Sequence, residues 1–125
     1  MNRITMIVLS LAAPLCIASS AALAQDAPPT YQADPSVYKV IFEDQNFRVI
    51  EGTYKAGQTD KPHSHPLPSI AYAFADCAIR THAPDGKTRD IDVKAGTVNV
   101  VPITPSHTTE NTGSKDCRVL FVERK

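Results

Sequence analysis

Short runs rich in β-branched and aromatic residues dominate the chain from residue 37 onward. Turn-forming stretches such as PDGK (84–87) and NTGS (111–114) separate them. No window of 11 or more residues beyond residue 24 keeps an apolar period of 3.6. Many short strands in a chain of this size indicate an all-β sandwich or small barrel. The predicted strand runs are 37–42, 47–55, 69–75, 77–83, 88–94, 96–101 and 117–124.

The first 24 residues have the composition of a signal peptide. One positive charge precedes an apolar run over residues 4–17, and residues 22–24 (ALA) match a small-x-small cleavage site. The run is shorter than the roughly 20 residues that a spanning helix needs, and Pro14 interrupts it. We therefore expect cleavage before Gln25 and a protein that is periplasmic or secreted, with no membrane attachment after cleavage.

Cleavage would leave 101 residues, enough for one domain. Residues 25–36 (QDAPPTYQADPS) are predicted to be a flexible lead-in, and residues 37–125 the folded domain. The remaining 12 basic and 13 acidic residues give a net charge of about −1, and no basic run exists. This balance gives no electrostatic footprint for nucleic acid or for an anionic membrane.

The segment KPHSHPLPS (61–69) carries two histidines one residue apart. In an extended backbone, His63 and His65 point to the same face, roughly 7 Å apart at Cα, so both imidazoles can converge on one ion. Pro66 restrains His65 to extended backbone angles, and the fixed φ of Pro62 is compatible with a strand. Because prolines remove backbone donors, the segment is predicted at a strand end or a sheet edge.

Two segments of the chain together resemble the paired motifs of the cupin superfamily. The first motif is glycine, five residues and H-x-H, followed by a glutamate; the second ends in proline, histidine and asparagine at fixed spacing. The residues in register are Gly57, His63 and His65 of the first motif, and Gly96, Pro102, His107 and Asn111 of the second. The resemblance covers about residues 37–125 and implies a small jelly-roll β-barrel.

The departures from the cupin pattern concern one ligand and two turns. The glutamate of the first motif would fall at Ser69 or Ile70, and the two missing glycines at Asp76 and Thr104. Three neutral imidazoles without a carboxylate should bind a metal more weakly and leave it strongly Lewis acidic. Glu110 is a candidate substitute, but strand alternation from His107 points it the other way.

The resemblance implies that His63, His65 and His107 hold one divalent metal, which imidazole ligands do not restrict among Fe, Zn, Cu, Ni and Mn. Some three-histidine cupins are non-haem iron dioxygenases, so a small-molecule enzyme is one hypothesis. The alternative is a non-catalytic module that binds or senses a small molecule or a metal, and a metal-free polar pocket is a third reading. His82 is expected on the outer face.

No residue outside the histidines is assigned a catalytic role. The chain has no G-x-S-x-G motif, phosphate loop or dinucleotide fingerprint. Glu51, Asp60 and Asp76 are acidic residues near the first motif, and each rates little above the surface background. Whether the protein is an enzyme stays open on these residues.

The strand after the histidines alternates small and large residues. Ser69, Ala71 and Ala73 are predicted to line a pocket beside the histidines, widened by the alanines. Tyr72 and Phe74 would then pack against a covering strand or a partner subunit. The alternative is that small and large residues only follow the taper of the barrel.

Two cysteines follow the predicted signal peptide. In the cupin jelly roll the strand after the first motif lies beside the last strand, so Cys77 and Cys117 are expected to form a disulfide in an oxidising compartment. Zinc binding by this pair is not expected, because no CxxC spacing exists. Cys16 raises lipidation as an alternative, although Leu15 before it is not small. Single cupin domains commonly dimerise, which implies a homodimer.

Overall fold

The computed structural model describes residues 25–125, and the predicted signal peptide with Cys16 lies outside this range. Between residues 25 and 125 no helix is long and apolar enough to cross a membrane. The elements are α1 (Thr30–Ala33), β1 (Tyr38–Glu43), β2 (Phe47–Tyr54), β3 (His63–His65), β4 (Ser69–Ala73), β5 (Cys77–His82), β6 (Thr88–Val93), β7 (Val98–Val101), β8 (Thr104–Asn111) and β9 (Cys117–Arg124).

The strands form two antiparallel sheets that face each other. One sheet has the order β1-β2-β9-β4-β7 and the other the order β3-β8-β5-β6. Neighbours in the sheets are mostly distant in the chain, as in a Greek-key jelly roll. The predicted all-β jelly-roll fold is therefore confirmed.

Strand β9 shows why this sequence closes around one interior. Cys117, Val119, Phe121 and Glu123 are buried on one face, while the residues between them are more exposed. This period of two is the pattern of a strand with one face inward. The glycines that open the two motifs, Gly57 and Gly96, both have φ of +76°, a left-handed turn conformation that favours glycine.

Each of the seven predicted runs contains a strand, but two observed strands, β3 and β8, lie outside those runs. Strand β8 lies between runs because its sequence, TPSHTTEN, has no apolar residue to reveal alternation. Strand β3 is only three residues long and forms an edge of its sheet, as the flanking Pro62 and Pro66 indicated.

The lead-in differs from the predicted flexible segment. The backbone N–H of Ser64 donates to the Pro28 carbonyl at 2.9 Å, and that of Ala27 to the Pro105 carbonyl at 3.0 Å. Thr30, in α1, is 1% exposed. The lead-in therefore covers the open edge of β3, and the backbone donors on that edge give it an ordered position.

The two cysteines are joined, with Cα atoms 5.4 Å apart. Strand β9 lies between β2 and β4 in one sheet, whereas Cys77 begins β5 in the opposite sheet. The predicted pairing is thus present, but it links the two sheets rather than two neighbouring strands of one sheet. The bond lies inside the core, since Cys77 and Cys117 are both buried.

Candidate metal centre

Three histidines converge on the inner side of the β3-β8 pair. His63 lies directly across from His107 in the ladder, and the two ring centroids are 4.4 Å apart. The His65 ring is 5.1 Å from each of the others. One ring nitrogen from each residue lies within 4.8 Å of the other two. The structure thus brings together the three side chains predicted as ligands.

An irregular ladder produces this convergence. His63 pairs with His107, but His65 pairs with Thr104, so β8 carries an extra residue between the two pairs. A bulge of this kind bends a strand and redirects its side chains. His63 and His65 are 0% and 5% exposed, so the cluster is shielded from solvent.

The orientation of His63 is set by its neighbours. Its Nδ1 lies 3.0 Å from the Lys61 carbonyl oxygen and 3.4 Å from Asp60 Oδ2. An N–H on Nδ1 donates to the Lys61 carbonyl, which leaves the lone pair on Nε2. The Tyr38 hydroxyl is 3.5 Å from Nε2. Metal-binding histidines commonly have this outer hydrogen bond, which holds the ring in place.

Asp60 organises a buried polar network behind the cluster. Its carboxylate accepts the Tyr38 O–H at 2.5 Å and the backbone N–H of Thr109 at 2.6 Å. Tyr38 is also hydrogen-bonded to the Tyr54 hydroxyl. Because Tyr38 donates its proton to Asp60, that proton is not committed to the free nitrogen of His63. Burial raises the pKa of both tyrosines, so both phenols stay neutral.

Gly52 allows this network to fit. It pairs across the ladder with Tyr38, and a methyl group there would lie 3.1 Å from Phe121 and 3.2 Å from Val119. A side chain at this position would have to displace its neighbours. The glycine therefore leaves room for Val119 and for Phe121, whose ring lies 6.1 Å from that of Tyr38.

Two of the three histidines, His65 and His107, are neutral near neutral pH. Burial, with smaller contributions from the neighbouring histidines, lowers the pKa of His65 to about 3. Burial and then His63 lower the pKa of His107 to about 4, against a smaller opposing effect of Asp60. Because protonation is disfavoured, the lone pairs of both rings are available to a cation.

The position of the missing motif glutamate is Ser69. Ser69 is 7% exposed whereas Ile70 is 43% exposed, so Ser69 holds the inward place and Ile70 points out. Across the ladder from Ser69 lies Glu123, which is 1% exposed. Its carboxylate accepts a hydrogen bond from Arg48 at 3.0 Å. Glu123 is therefore committed to an arginine and is outside the histidine cluster.

A cavity of about 440 Å³ adjoins the histidines, within the roughly 300–1,000 Å³ usual for small-molecule sites. His65, His107, Ala71 and Ala73 line it. Ser69, predicted to line the pocket, does not, although its buried hydroxyl has no hydrogen-bond partner.

The large residues of β4 lie on its other face. Tyr72 and Phe74 are 37% and 46% exposed, so they do not fill the barrel. This places the small residues of the strand on the inside, as their alternation predicted.

The other acidic candidates lie outside the cluster. Glu110 accepts a hydrogen bond from His82 of the neighbouring strand β5 at 3.0 Å, which keeps both side chains on the face of the sheet away from the histidine cluster. Glu51 forms an ion pair with Arg118. Asp76 accepts the backbone N–H of Ala95 at 2.9 Å, as a turn residue.

The residues that support the histidines from behind are not indicated by the sequence motifs. The sequence rates Asp60 little above the surface background and indicates no role for Tyr38, Tyr54 or Thr109. The spacing of Asp60, three residues before His63, is the one local signal that was available. Tyr38 lies on β1 and Tyr54 ends β2, both before the first motif, and only the folded barrel brings the Tyr38 hydroxyl to Asp60.

The donor set fits a divalent ion. Neutral imidazoles suit Zn, Fe, Cu and Ni, and three of them leave coordination positions open. His63 and His65 are buried, His107 is half-buried, and His63 is oriented by its outer hydrogen bond. The residues present are therefore those that a metal centre requires.

Comparison with known proteins supports the fold. No protein-family model and no curated protein matches this chain. A cupin domain from Bordetella pertussis has a TM-score of 0.66 and 15% identity, covering 82% of this chain and 99% of that one. An RmlC-like cupin family protein with a double-stranded β-helix fold, from Methanocaldococcus jannaschii, has a TM-score of 0.57 and 12% identity, covering 70% and 78%.

A third similar structure is an uncharacterized conserved protein with a double-stranded β-helix domain from Klebsiella pneumoniae. Its TM-score is 0.55 and its identity 18%, and the match covers 78% of this chain and 82% of that one. At identities this low, the likeness establishes a shared fold and leaves activity to be argued from the site.

Proposed function

We propose that this chain, which has the cupin fold, binds one divalent metal ion through His63, His65 and His107 and a small molecule in the adjoining cavity. The observation that carries the proposal is the convergence of three imidazoles, two buried and one half-buried, whose ring nitrogens lie within 4.8 Å of one another. A bound divalent metal would supply Lewis acidity or, for iron or copper, redox chemistry. The protein's own residues orient the ring of His63 and exclude bulk water.

The cavity lining favours either metal-centred chemistry or binding alone. Its described lining residues include no aspartate or glutamate, so no carboxylate is placed for proton transfer. The oxidative hypothesis, a dioxygenase-type reaction, rests on the three-histidine ligand set. The binding hypothesis, a sensor or carrier for a small molecule, rests on the same cavity without turnover.

Elemental analysis of protein purified without a histidine tag tests the metal site. We expect about one equivalent of metal, or its recovery on titration with Zn²⁺ or Fe²⁺ after chelation, and loss of binding in His107→Gln. His82→Gln is the matched control, since His82 is bonded to Glu110 away from the cluster. Binding unchanged in His107→Gln would contradict the proposal.

Oxygen uptake separates the two functional hypotheses. Iron-loaded protein that consumes oxygen with a carboxylic or enolic substrate, and His107→Gln protein that does not, would support the enzyme. Tight ligand binding without uptake supports the binding module. These measurements use the same preparations as the metal analysis.

The proposed location is outside the cytoplasm, in the periplasm or medium. The Cys77–Cys117 bond is compatible with an oxidising compartment, where such bonds persist. N-terminal sequencing of the protein recovered from an export-competent host should begin at Gln25. A mature protein that still carries residues 1–24 would contradict this assignment.

A homodimer is the proposed assembly. The outer face of β4 and β7 carries exposed apolar side chains, and within residues 25–125 β7 pairs with β4 alone. These side chains are Ile70, Tyr72, Phe74, Val98 and Val100. Contiguous apolar surface and an open strand edge favour association with a second copy.

Light scattering after size exclusion tests the dimer. Val100→Lys, at a residue 81% exposed, should convert a dimer to a monomer. Ile41→Lys is the control, because Ile41 is 50% exposed on β1 at the opposite edge of the same sheet. A wild-type protein that elutes and scatters as a monomer would contradict the assignment.

A further inference from the structure

The charge distribution of the cavity beside the histidines indicates what kind of molecule it takes. Its inner wall is apolar and built from small or branched side chains. The residues that form this wall include Ala71, Ala73, Ile79, Val93, Val119 and Phe121. A wall of this kind binds the hydrocarbon part of a ligand by removing it from water.

The charged residues that line the cavity are all basic. Lys87 and Arg89 lie along it, and no described lining residue is acidic. Lys87 is paired with Asp85 at 2.9 Å and is largely exposed, so its charge is already compensated. Arg89 has no ion-pair partner among residues 25–125.

Strand β6 directs Arg89 toward the cavity. Arg89, Ile91 and Val93 alternate along this strand, and all three line the cavity. Side chains two residues apart in a strand share a face, so Arg89 continues the row formed by Ile91 and Val93. Asp90, on the other face, is bound to Arg80 at 2.6 Å and does not compensate Arg89.

An anionic group matches this arrangement. Arginine presents a planar fork of N–H donors that matches a carboxylate, and such charge-assisted bonds are the strong ones. A divalent metal at the histidines would add further positive charge to a cavity without a carboxylate of its own. Arg89 is exposed to solvent, and an anionic ligand would supply the ion-pair partner that it lacks, whereas a neutral ligand would not.

We infer that the ligand of this cavity is a small organic carboxylate with an apolar body, its carboxylate paired with Arg89 and its body against the alanine wall of β4. The inference deepens the proposed function by naming the ligand class, and it rests on that proposal only for the metal at the inner end. The pairing with Arg89 does not require a metal.

Calorimetric titration with two matched pairs of probes tests the inference. The pairs are 3-phenylpropanoate with 3-phenylpropanamide, and hexanoate with hexanamide, each measured on chelator-treated and on Zn²⁺-titrated protein. In at least one pair the carboxylate should bind about tenfold more tightly than the amide in both preparations, as expected for a charge-assisted hydrogen bond.

Two variants assign the preference to Arg89. In Arg89→Gln the carboxylate and the amide should bind within about twofold of each other, whereas Arg89→Lys should keep part of the preference. Arg124→Gln is the matched control, because Arg124 is exposed on β9 and does not line this cavity. Its preference should equal that of the wild type.

The outcomes separate this inference from the proposed metal site. Equal binding of carboxylate and amide, a preference that survives in Arg89→Gln, or no binding of either pair at millimolar concentration would overturn the inference. Protein that takes up no metal but keeps an Arg89-dependent preference would overturn the metal site and support the inference. Protein that binds metal but shows no Arg89-dependent preference for the carboxylate would support the metal site and overturn the inference.

Discussion

Asp60 and Glu123 are both buried carboxylates, and their partners differ. Asp60, beside the histidines, accepts hydrogen bonds from a tyrosine hydroxyl and a backbone amide. Glu123, across from Ser69, is ion-paired with Arg48, itself only 14% exposed in its side chain. Each carboxylate is used by the fold. Neither Asp60 nor Glu123 is therefore free to replace the missing metal ligand.

Because their partners differ, mutation of Asp60 and mutation of Glu123 should affect stability differently. A carboxylate that accepts bonds from neutral donors can be replaced at the cost of those bonds, whereas removal of one member of a buried ion pair leaves a charge behind. Burial raises the pKa of Glu123, while Arg48 opposes that rise. The experiments below separate these two regions, in order of expected effect.

The largest effect is expected from the link between the two regions. The Cys77–Cys117 bond joins the sheet that carries Glu123 to the sheet that carries the histidines. Replacing both cysteines by alanine should lower the free energy of unfolding by up to about 4 kcal/mol, because the bond closes a loop of some 40 residues. Urea unfolding measures this, and an unchanged midpoint would contradict a formed bond.

Glu123→Gln should remove the ion pair with Arg48 without affecting the histidines. We expect a loss of about 3 kcal/mol in the free energy of unfolding, since Arg48 keeps only its more exposed partner Glu43. Metal affinity should be unchanged. Glu51→Gln is the control, because its partner Arg118 is largely exposed and such pairs contribute less than about 1 kcal/mol. A drop in metal affinity in Glu123→Gln would mean that Glu123 acts at the metal site.

Asp60→Asn should affect both stability and the metal. The asparagine amide would lack the charge that faces His63, and its NH₂ group could not accept the hydrogen bond that Tyr38 donates. Metal affinity should therefore fall about tenfold or more. Stability should fall by about 2 kcal/mol. Asp76→Asn, at an exposed turn, should change neither measurably. Unaltered affinity in Asp60→Asn would show that the carboxylate does not support the ligand.

Ser69→Glu tests whether the missing carboxylate can be restored. The side chain would start from the inward position of β4, and a fourth, charged ligand should raise metal affinity about tenfold, or about 1.4 kcal/mol. Ile70→Glu is the control, since Ile70 points outward and should leave affinity unchanged. Equal affinities in both variants would indicate that the inward position does not reach the ion.

The smallest effect is a pH dependence confined to the histidine region of the metal-free protein. His65 and His107 have pKa values of about 3 and 4 in the folded state, below the ordinary 6.5. The unfolded chain therefore binds more protons between these values, so stability is retained above pH 6.5 and is lost as pH falls below it. Between pH 7 and pH 6 the loss should be roughly 1 kcal/mol.

Thermal unfolding of the chelator-treated protein measures this dependence. His65→Gln and His107→Gln should each flatten it, and His82→Gln should retain the part that belongs to the cluster. A wild-type profile without slope between pH 7 and pH 6 would mean that the cluster is already protonated or hydrated.

The sequence predicted the fold and the three histidines because both depend on local patterns. Alternating runs revealed seven strands, and the spacing of the two motifs placed His107 with the H-x-H pair. Strand β8 escaped detection because it carries no apolar residue, and only pairing with β3 and β5 makes it a strand. The lead-in was misjudged because its composition does not show that the edge of β3 needs a cover.

The supporting residues could not be inferred, since no local signal joins them. Tyr38 lies on β1, 22 residues before Asp60, and only the folded barrel brings its hydroxyl to that carboxylate. Ser69 and Ile70 both satisfied the motif spacing, and only the pleat of β4 decided that Ser69 faces inward.

The sequence by itself determined the strand rhythm, the turn positions and the identity of the three imidazoles, because these follow from side-chain chemistry and short spacing. The tertiary structure decided which carboxylates are committed to other partners, where the cysteines meet and which basic residues line the cavity. Those features depend on contacts between residues far apart in the chain, and such contacts are set by how the two sheets close on each other.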